Sequence, residues 1–161
     1  MASHIQLQNP DEYALGEERL KRAAQTVLDQ HPAYRSASLT IVITSTETLR
    51  EFNRRHRQVN AATDVLAFAA SALPEEIGQE QSYLGDILIA PEYAAAQAEA
   101  KGVGLADTLC LLVIHGTLHL LGYKHDTTEA CGRMWLAQAN ALESLGISSA
   151  IVERYERTKQ A

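Results

Sequence analysis

Apolar and polar positions recur along the chain with two periods, near two and near 3.6 residues, and the switches between them predict a succession of strands and helices. Ile5 and Leu7, set among polar residues, predict a short first strand. Pro10-Asp11-Glu12 has the acidic character of a first helical turn. Leu15, Leu20, Ala24, Val27 and Leu28 then recur at helical spacing as far as His31-Pro32. Ala37 to Thr44 is apolar and β-branched, as a buried strand requires. Thr46 to Arg57 reads as a polar, basic helix with Leu49 and Phe52 as its large apolar anchors. Asp64 to Phe68 and Tyr83 to Ile89 predict two further strands, and the polar stretch Ser71 to Ser82, with Pro74 and Gly78, predicts the connection between them. Pro91 opens an alanine-rich helix that Gly102 stops, and Leu105 opens another that Gly122 stops. Asp126 and Glu129 have the spacing of a capping box for a helix reaching Leu145, closed by Gly146, and a last helix is expected over Ser148 to Lys159.

This order, β-α-β-α-β-β and then helices, predicts an α/β fold: a small mixed sheet of about four strands packed with five or six helices. No repeat and no linker divides the 161 residues, so a single domain spanning 1–161 is expected. A content of 46% hydrophobic and 21% charged residues excludes disordered and fibrous classes. No apolar stretch approaches the roughly 18 residues of a membrane span, and no leader-like pattern is present, so a cytoplasmic protein without a membrane partner is expected. Cys110 and Cys131 fall in apolar helical patterns, which suits core packing in a reducing compartment. The net charge of −6 argues against a general polyanion binder and against DNA as a partner; a local basic patch or a bound dication can reverse that at one site.

The chemistry concentrates in one run, His115-Gly116-Thr117-Leu118-His119-Leu120-Leu121-Gly122-Tyr123-Lys124-His125. On a helix, His115 and His119 stand one turn apart on one face and can share an ion. Gly122 permits the left-handed conformation that ends a helix, and the returning chain brings His125 to the same point. Three neutral imidazoles suit one zinc ion per chain, and three protein ligands leave a position open for water or substrate, which is the catalytic pattern. His4, His31 and His56 are isolated and read as surface or loop residues. The spacing also resembles that of the metzincin proteases, but Gly116 stands where those enzymes carry the glutamate that acts as general base, so that route to peptide hydrolysis lacks its proton acceptor. Met134 continues a helical apolar pattern with Ala130, Ala137, Ala141 and Leu145 and reads as core.

The eleven-residue run resembles the signature H-G-x-L-H-L-x-G-Y-D-H of the bacterial YbeY family of endoribonucleases and rRNA maturation factors, with Lys124 in place of the aspartate. Phe52 to Arg57 with Thr63 to Phe68 resembles that family's L-N-x-x-Y-R…T-D-V-L-S-F stretch, and Leu84 to Ile87 its L-G-D-I strand, so the resemblance covers nearly the whole chain. It implies zinc held by His115, His119 and His125, and cleavage of single-stranded RNA in maturation of the 16S rRNA 3′ end and in ribosome quality control. The small ribosomal subunit and its assembly proteins are the partners it implies. Arg57 matches the family's arginine and is expected at the catalytic site with the three histidines, contacting a phosphate in bidentate fashion. Taken as residues alone, Asn53 to Arg57 is a solvated helix face, and Arg54 and Arg55 are undecided. Asp86 is expected on the solvent side of its strand, with a supporting role toward a histidine as the alternative. A non-nucleolytic zinc-containing assembly factor is the second function to weigh, and a metallohydrolase of another substrate class the third.

Overall fold

The computed structural model describes residues 4–58, 61, 63–70 and 83–159, the side chains of Arg57 and of residues 156–159 excepted. Among these the chain forms β1 (His4–Gln8), α1 (Glu17–Asp29), β2 (Ser38–Ile43), α2 (Thr46–Arg57), β3 (Val65–Ala69), β4 (Tyr83–Ile89), α3 (Pro91–Lys101), α4 (Leu105–Leu120), α5 (Thr128–Ser144) and α6 (Ala150–Lys159). The four strands make one sheet in the order β1-β2-β4-β3. β1 and β4 run parallel to β2, and β3 runs antiparallel to β4. This is the small mixed sheet expected of an α/β domain, with six helices around it. The expected connection over 71–82 lies outside the described residues.

Strand alternation sorts the side chains between two cores. Leu39, Ile41 and Ile43 of β2 and Ile87 and Ile89 of β4 join the main core with α1, α4, α5 and α6. Val42, Leu66, Leu88 and Phe68 meet Leu49 of α2 in a smaller core. The sheet is therefore covered by α2 on one face and by the larger helical layer on the other. α4 is the central helix of that layer. It is buried from Thr108 to Ile114 and again from Gly116 to Leu118, which is why it reads as apolar almost all round. Leu111, Ile114 and Leu118 are nearly or wholly enclosed, each contributing about 1.5–3 kcal/mol of burial. Met134 is buried, as its helical pattern predicts.

Two helix starts differ from expectation. α1 begins at Glu17, not at Pro10, because Asn9 holds the intervening chain in a turn. Its Oδ1 accepts from the Tyr13 N–H at 3.0 Å and its Nδ2 donates to the Tyr13 carbonyl at 2.8 Å, while the Glu12 N–H reaches the Asn9 carbonyl at 3.0 Å. An asparagine side chain competes with helical hydrogen bonding in just this way. α5 is capped by Thr127 and not by Asp126: Thr127 has extended backbone, and its hydroxyl accepts from the Ala130 N–H at 3.0 Å.

Candidate metal centre

α4 delivers two histidines to one point, and the turn that follows delivers the third. The Gly122 N–H donates to the His119 carbonyl and the Tyr123 N–H to the Leu118 carbonyl, both at 3.0 Å, and Gly122 takes φ +100°, outside the range an L side chain adopts readily. The chain reverses there, and one ring nitrogen from each of His115, His119 and His125 lies within 4.8 Å of the others. His115 and His119 are half-buried and His125 is exposed, so the cluster opens to solvent on the loop side. The His119 ring meets His115 and His125 edge-on, with centroids 4.5 and 5.1 Å apart.

Each ring that α4 carries is fixed by a partner on its far nitrogen. His119 Nδ1 lies 3.1 Å from the Tyr123 carbonyl, which only accepts, so Nδ1 carries a proton and in the neutral ring Nε2 offers its lone pair. His115 Nδ1 lies 2.7 Å from Oε1 of Gln138 on α5, and the same logic gives its neutral ring a lone pair on Nε2. The two Nε2 atoms are 3.0 Å apart. At that distance the two nitrogens share either a proton or a cation, and with a His125 ring nitrogen within 4.8 Å of both the donor set fits a metal ion. Imidazole nitrogens are the right chemistry for zinc, and the hydrogen bonds on Nδ1 are the outer support such ligands take. The third histidine's backbone is also held: the Cys131 thiol approaches the His125 carbonyl at 3.2 Å. Cys131 is thus half-buried beside the site, whereas Cys110 is core, its thiol pKa pushed up by burial.

Gly116 faces away from this cluster and onto the sheet. A Cβ there would stand 2.8 Å from Cγ2 of Ile87, so the glycine lets α4 lie close against β4. A side chain at this position, where a zinc protease needs its glutamate, would meet Ile87 and not the cluster.

The family model described as Endoribonuclease YbeY matches residues 6–146. The chain belongs to the YbeY endoribonuclease family. A curated relative from Nocardia farcinica, named Endoribonuclease YbeY, is 34% identical over 86% of this chain and 78% of its own length. One of the same name from Legionella pneumophila is 34% identical over 92% of this chain and 94% of its own. A solution structure from Thermotoga maritima shares the fold with TM-score 0.54, covering 89% of this chain and 91% of that one at 20% identity.

The other segments that resemble the YbeY pattern divide in their roles. Asn53, expected on a solvated face, is 6% exposed, and its Nδ2 donates to the Ala61 carbonyl at 3.1 Å, pinning the chain that leaves α2. Arg54 and Arg55 share the Glu51 carboxylate, at 2.5 and 3.0 Å, which holds its pKa below the usual carboxylate range. Arg57 closes α2, its side chain outside the described residues. His56 is not isolated: it stacks on Phe52 at 5.7 Å and meets Phe68 edge-on at 5.2 Å. Asp86 pairs in register with Thr40 and Phe68, on the α2 face of the sheet, opposite the Ile87 side on which Gly116 packs. It accepts from the Tyr83 hydroxyl, on the face of the sheet away from α4 and its histidines. The side chain that meets a histidine is Gln138, which sequence reasoning passed over. Asp64, 1% exposed, accepts from the Tyr155 hydroxyl of α6 and so ties the last helix to the start of β3. Lys124 is exposed beside His125, and nothing in the fold explains it.

Proposed function

We propose that this protein is a zinc-dependent, single-strand-specific endoribonuclease that acts in maturation of the 16S rRNA 3′ end and in ribosome quality control. The observation that carries the proposal is the convergence of three imidazoles, two of them locked in the metal-ready tautomer, in a chain of the YbeY family. His115, His119 and His125 hold one ion, in a cytoplasmic protein whose single domain spans 1–161 and whose partners are rRNA, the small ribosomal subunit and its assembly proteins. When bound, zinc supplies Lewis acidity at one open position, which polarises a phosphodiester oxygen and acidifies water. Gln138 and the Tyr123 carbonyl hold the imidazoles neutral and aimed, and Arg57 neutralises charge that develops on the phosphate.

The test is a pair of variants. His115→Ala loses both zinc and cleavage of a single-stranded RNA, whereas Arg57→Glu keeps zinc and loses cleavage. Normal rRNA 3′ ends in cells carrying Arg57→Glu would remove Arg57 from the reaction. A 2′,3′-cyclic phosphate on the products would identify the RNA's own 2′-hydroxyl as the nucleophile. The second reading, a zinc-containing assembly factor that does not cut, draws on the net charge of −6 and on the sharing of Glu51 by Arg54 and Arg55. It is favoured if nuclease-free protein binds ribosomal particles and leaves RNA intact. Proteolysis is the weakest alternative, because position 116 admits no base.

A further inference from the structure

A hydrogen-bonded chain runs from the end of α1 into the metal loop and involves a histidine outside the signature run. His31 Nδ1 lies 2.7 Å from the Val27 carbonyl, and its Nε2 lies 2.8 Å from the Tyr123 hydroxyl. The carbonyl can only accept, so Nδ1 carries the proton, Nε2 offers its lone pair, and the tyrosine hydroxyl donates. The two rings meet edge-on, with centroids 5.5 Å apart and planes at 88°. The same Tyr123 presents its main-chain carbonyl to His119 Nδ1. Tyr123 is therefore held at both ends, by His31 through its side chain and by His119 and Leu118 through its backbone.

We propose that His31 and Tyr123 are positioning residues for the metal centre: His31, anchored on α1, fixes Tyr123, and Tyr123 fixes the tautomer and tilt of His119 and the path of the loop to His125. Gly122 gives the chain freedom to turn, and that freedom has to be removed again if His125 is to arrive at one place. The turn's own hydrogen bonds define it only as far as Tyr123. Beyond it, two residues later, comes the third ligand. Past Tyr123 the Cys131 thiol holds the His125 carbonyl, and a hydroxyl tied to a separate helix adds a second constraint across a sequence separation of 92 residues. Such outer partners act on metal affinity through ligand orientation, and losing one costs about 10-fold or more. This inference rests on the metal reading proposed above.

The experiment measures zinc affinity by chelator competition, and the absorption spectrum of the Co2+-substituted protein, for wild type, Tyr123→Phe, His31→Phe and the double variant. Tyr123→Phe removes one oxygen and keeps the ring packing, so it reads the hydrogen bond alone, whereas His31→Phe also removes the contact with the Val27 carbonyl. The expected result is zinc binding weakened about 10-fold in each single variant, an altered cobalt spectrum, and a double variant no weaker than the worse single one. Unchanged zinc affinity and cobalt spectrum in Tyr123→Phe would overturn the proposal, as would losses that simply multiply in the double variant. A wild-type protein that takes up neither metal overturns the metal reading itself and this inference with it.

Discussion

Gln138 offers the sharpest test of how the centre is held. It is 1% exposed, and its Oε1 accepts from His115 Nδ1 at 2.7 Å. Gln138→Met keeps length and volume and removes the acceptor. In the metal-free protein the His115 N–H then loses its partner, which costs about 1–3 kcal/mol when fully enclosed. His115 is only half-buried, so the lower end, about 1 kcal/mol, is expected. The larger effect is on the ion. A histidine ligand without its orienting partner binds metal about 10- to 100-fold more weakly, or about 1.4–2.7 kcal/mol. Under the proposed zinc binding to the folded state, that difference reappears as lost stability once both proteins are saturated. The variant should thus trail wild type by about 1 kcal/mol in chelator and by about 2–4 kcal/mol in zinc. Denaturant unfolding under the two conditions, with chelator competition for the zinc dissociation constant, measures both. Gln138→Glu, which keeps an acceptor, should hold zinc at least as well as wild type. If Gln138→Met folds and binds zinc within about twofold of wild type, far inside the loss expected, Gln138 only fills space and the account of His115 is wrong.

Three further outcomes are expected. Gly116→Ala places a Cβ against Ile87 and should cost about 1–3 kcal/mol by overpacking α4 on the sheet, read as a lowered urea midpoint; because Ile87→Ala removes the γ carbons that the new Cβ meets, the double variant Gly116→Ala, Ile87→Ala should lose less than the sum of the two single losses. Thr127→Ala removes the α5 cap and should cost about 0.5–2 kcal/mol, seen as a lower thermal midpoint in zinc and in chelator alike. Burial first, and then the Asp64 carboxylate, pushes the Tyr155 hydroxyl pKa far above its ordinary 10.0. Below that value both states are protonated; above it the unfolded chain releases a proton that the folded chain keeps, so stability falls as pH rises. The slope contributed by this residue is about 1.4 kcal/mol per pH unit, and Tyr155→Phe should show a shallower alkaline loss than wild type in urea titrations above pH 10, at the cost of a Tyr155 donor to Asp64.

Local pattern made the elements legible because each is decided within a few residues. The bounds of α2 and β4 agree with expectation at both ends, since Ser45 caps the one through the Thr48 N–H and apolar alternation bounds the other. The convergence of the three histidines was legible for the same reason: helical periodicity and one glycine, all inside eleven residues, decide where they point. What supports them was not, because it arrives from elements distant in sequence. Gln138 reaches His115 across 23 residues and His31 reaches Tyr123 across 92. Gln138 did leave a trace. It lies four residues after Met134 and three before Ala141, on the apolar face of α5, where a polar side chain has no business without a partner. His31 left none, since a single histidine after a helix end says nothing about what it meets.

The end of α4 also resolves the conflict between an acidic chain and an anionic substrate. A net charge of −6 repels RNA over the surface as a whole, yet the centre sits at the C-terminal end of a 16-residue helix, the end at which the aligned peptide dipoles leave partial negative charge. That end favours a cation, and burial of the helix body leaves little solvent along its length to screen the field. The Leu118 and His119 carbonyls there are already engaged by the turn through Gly122 and Tyr123, so the histidine rings rather than the main chain face the ion. A dication bound at that point converts the negative end of α4 into a local positive site and leaves the rest of the surface unchanged. On this account the pull on a phosphate comes from the metal and its immediate neighbours, and zinc removal should abolish RNA binding at the site more completely than any single arginine substitution on α2.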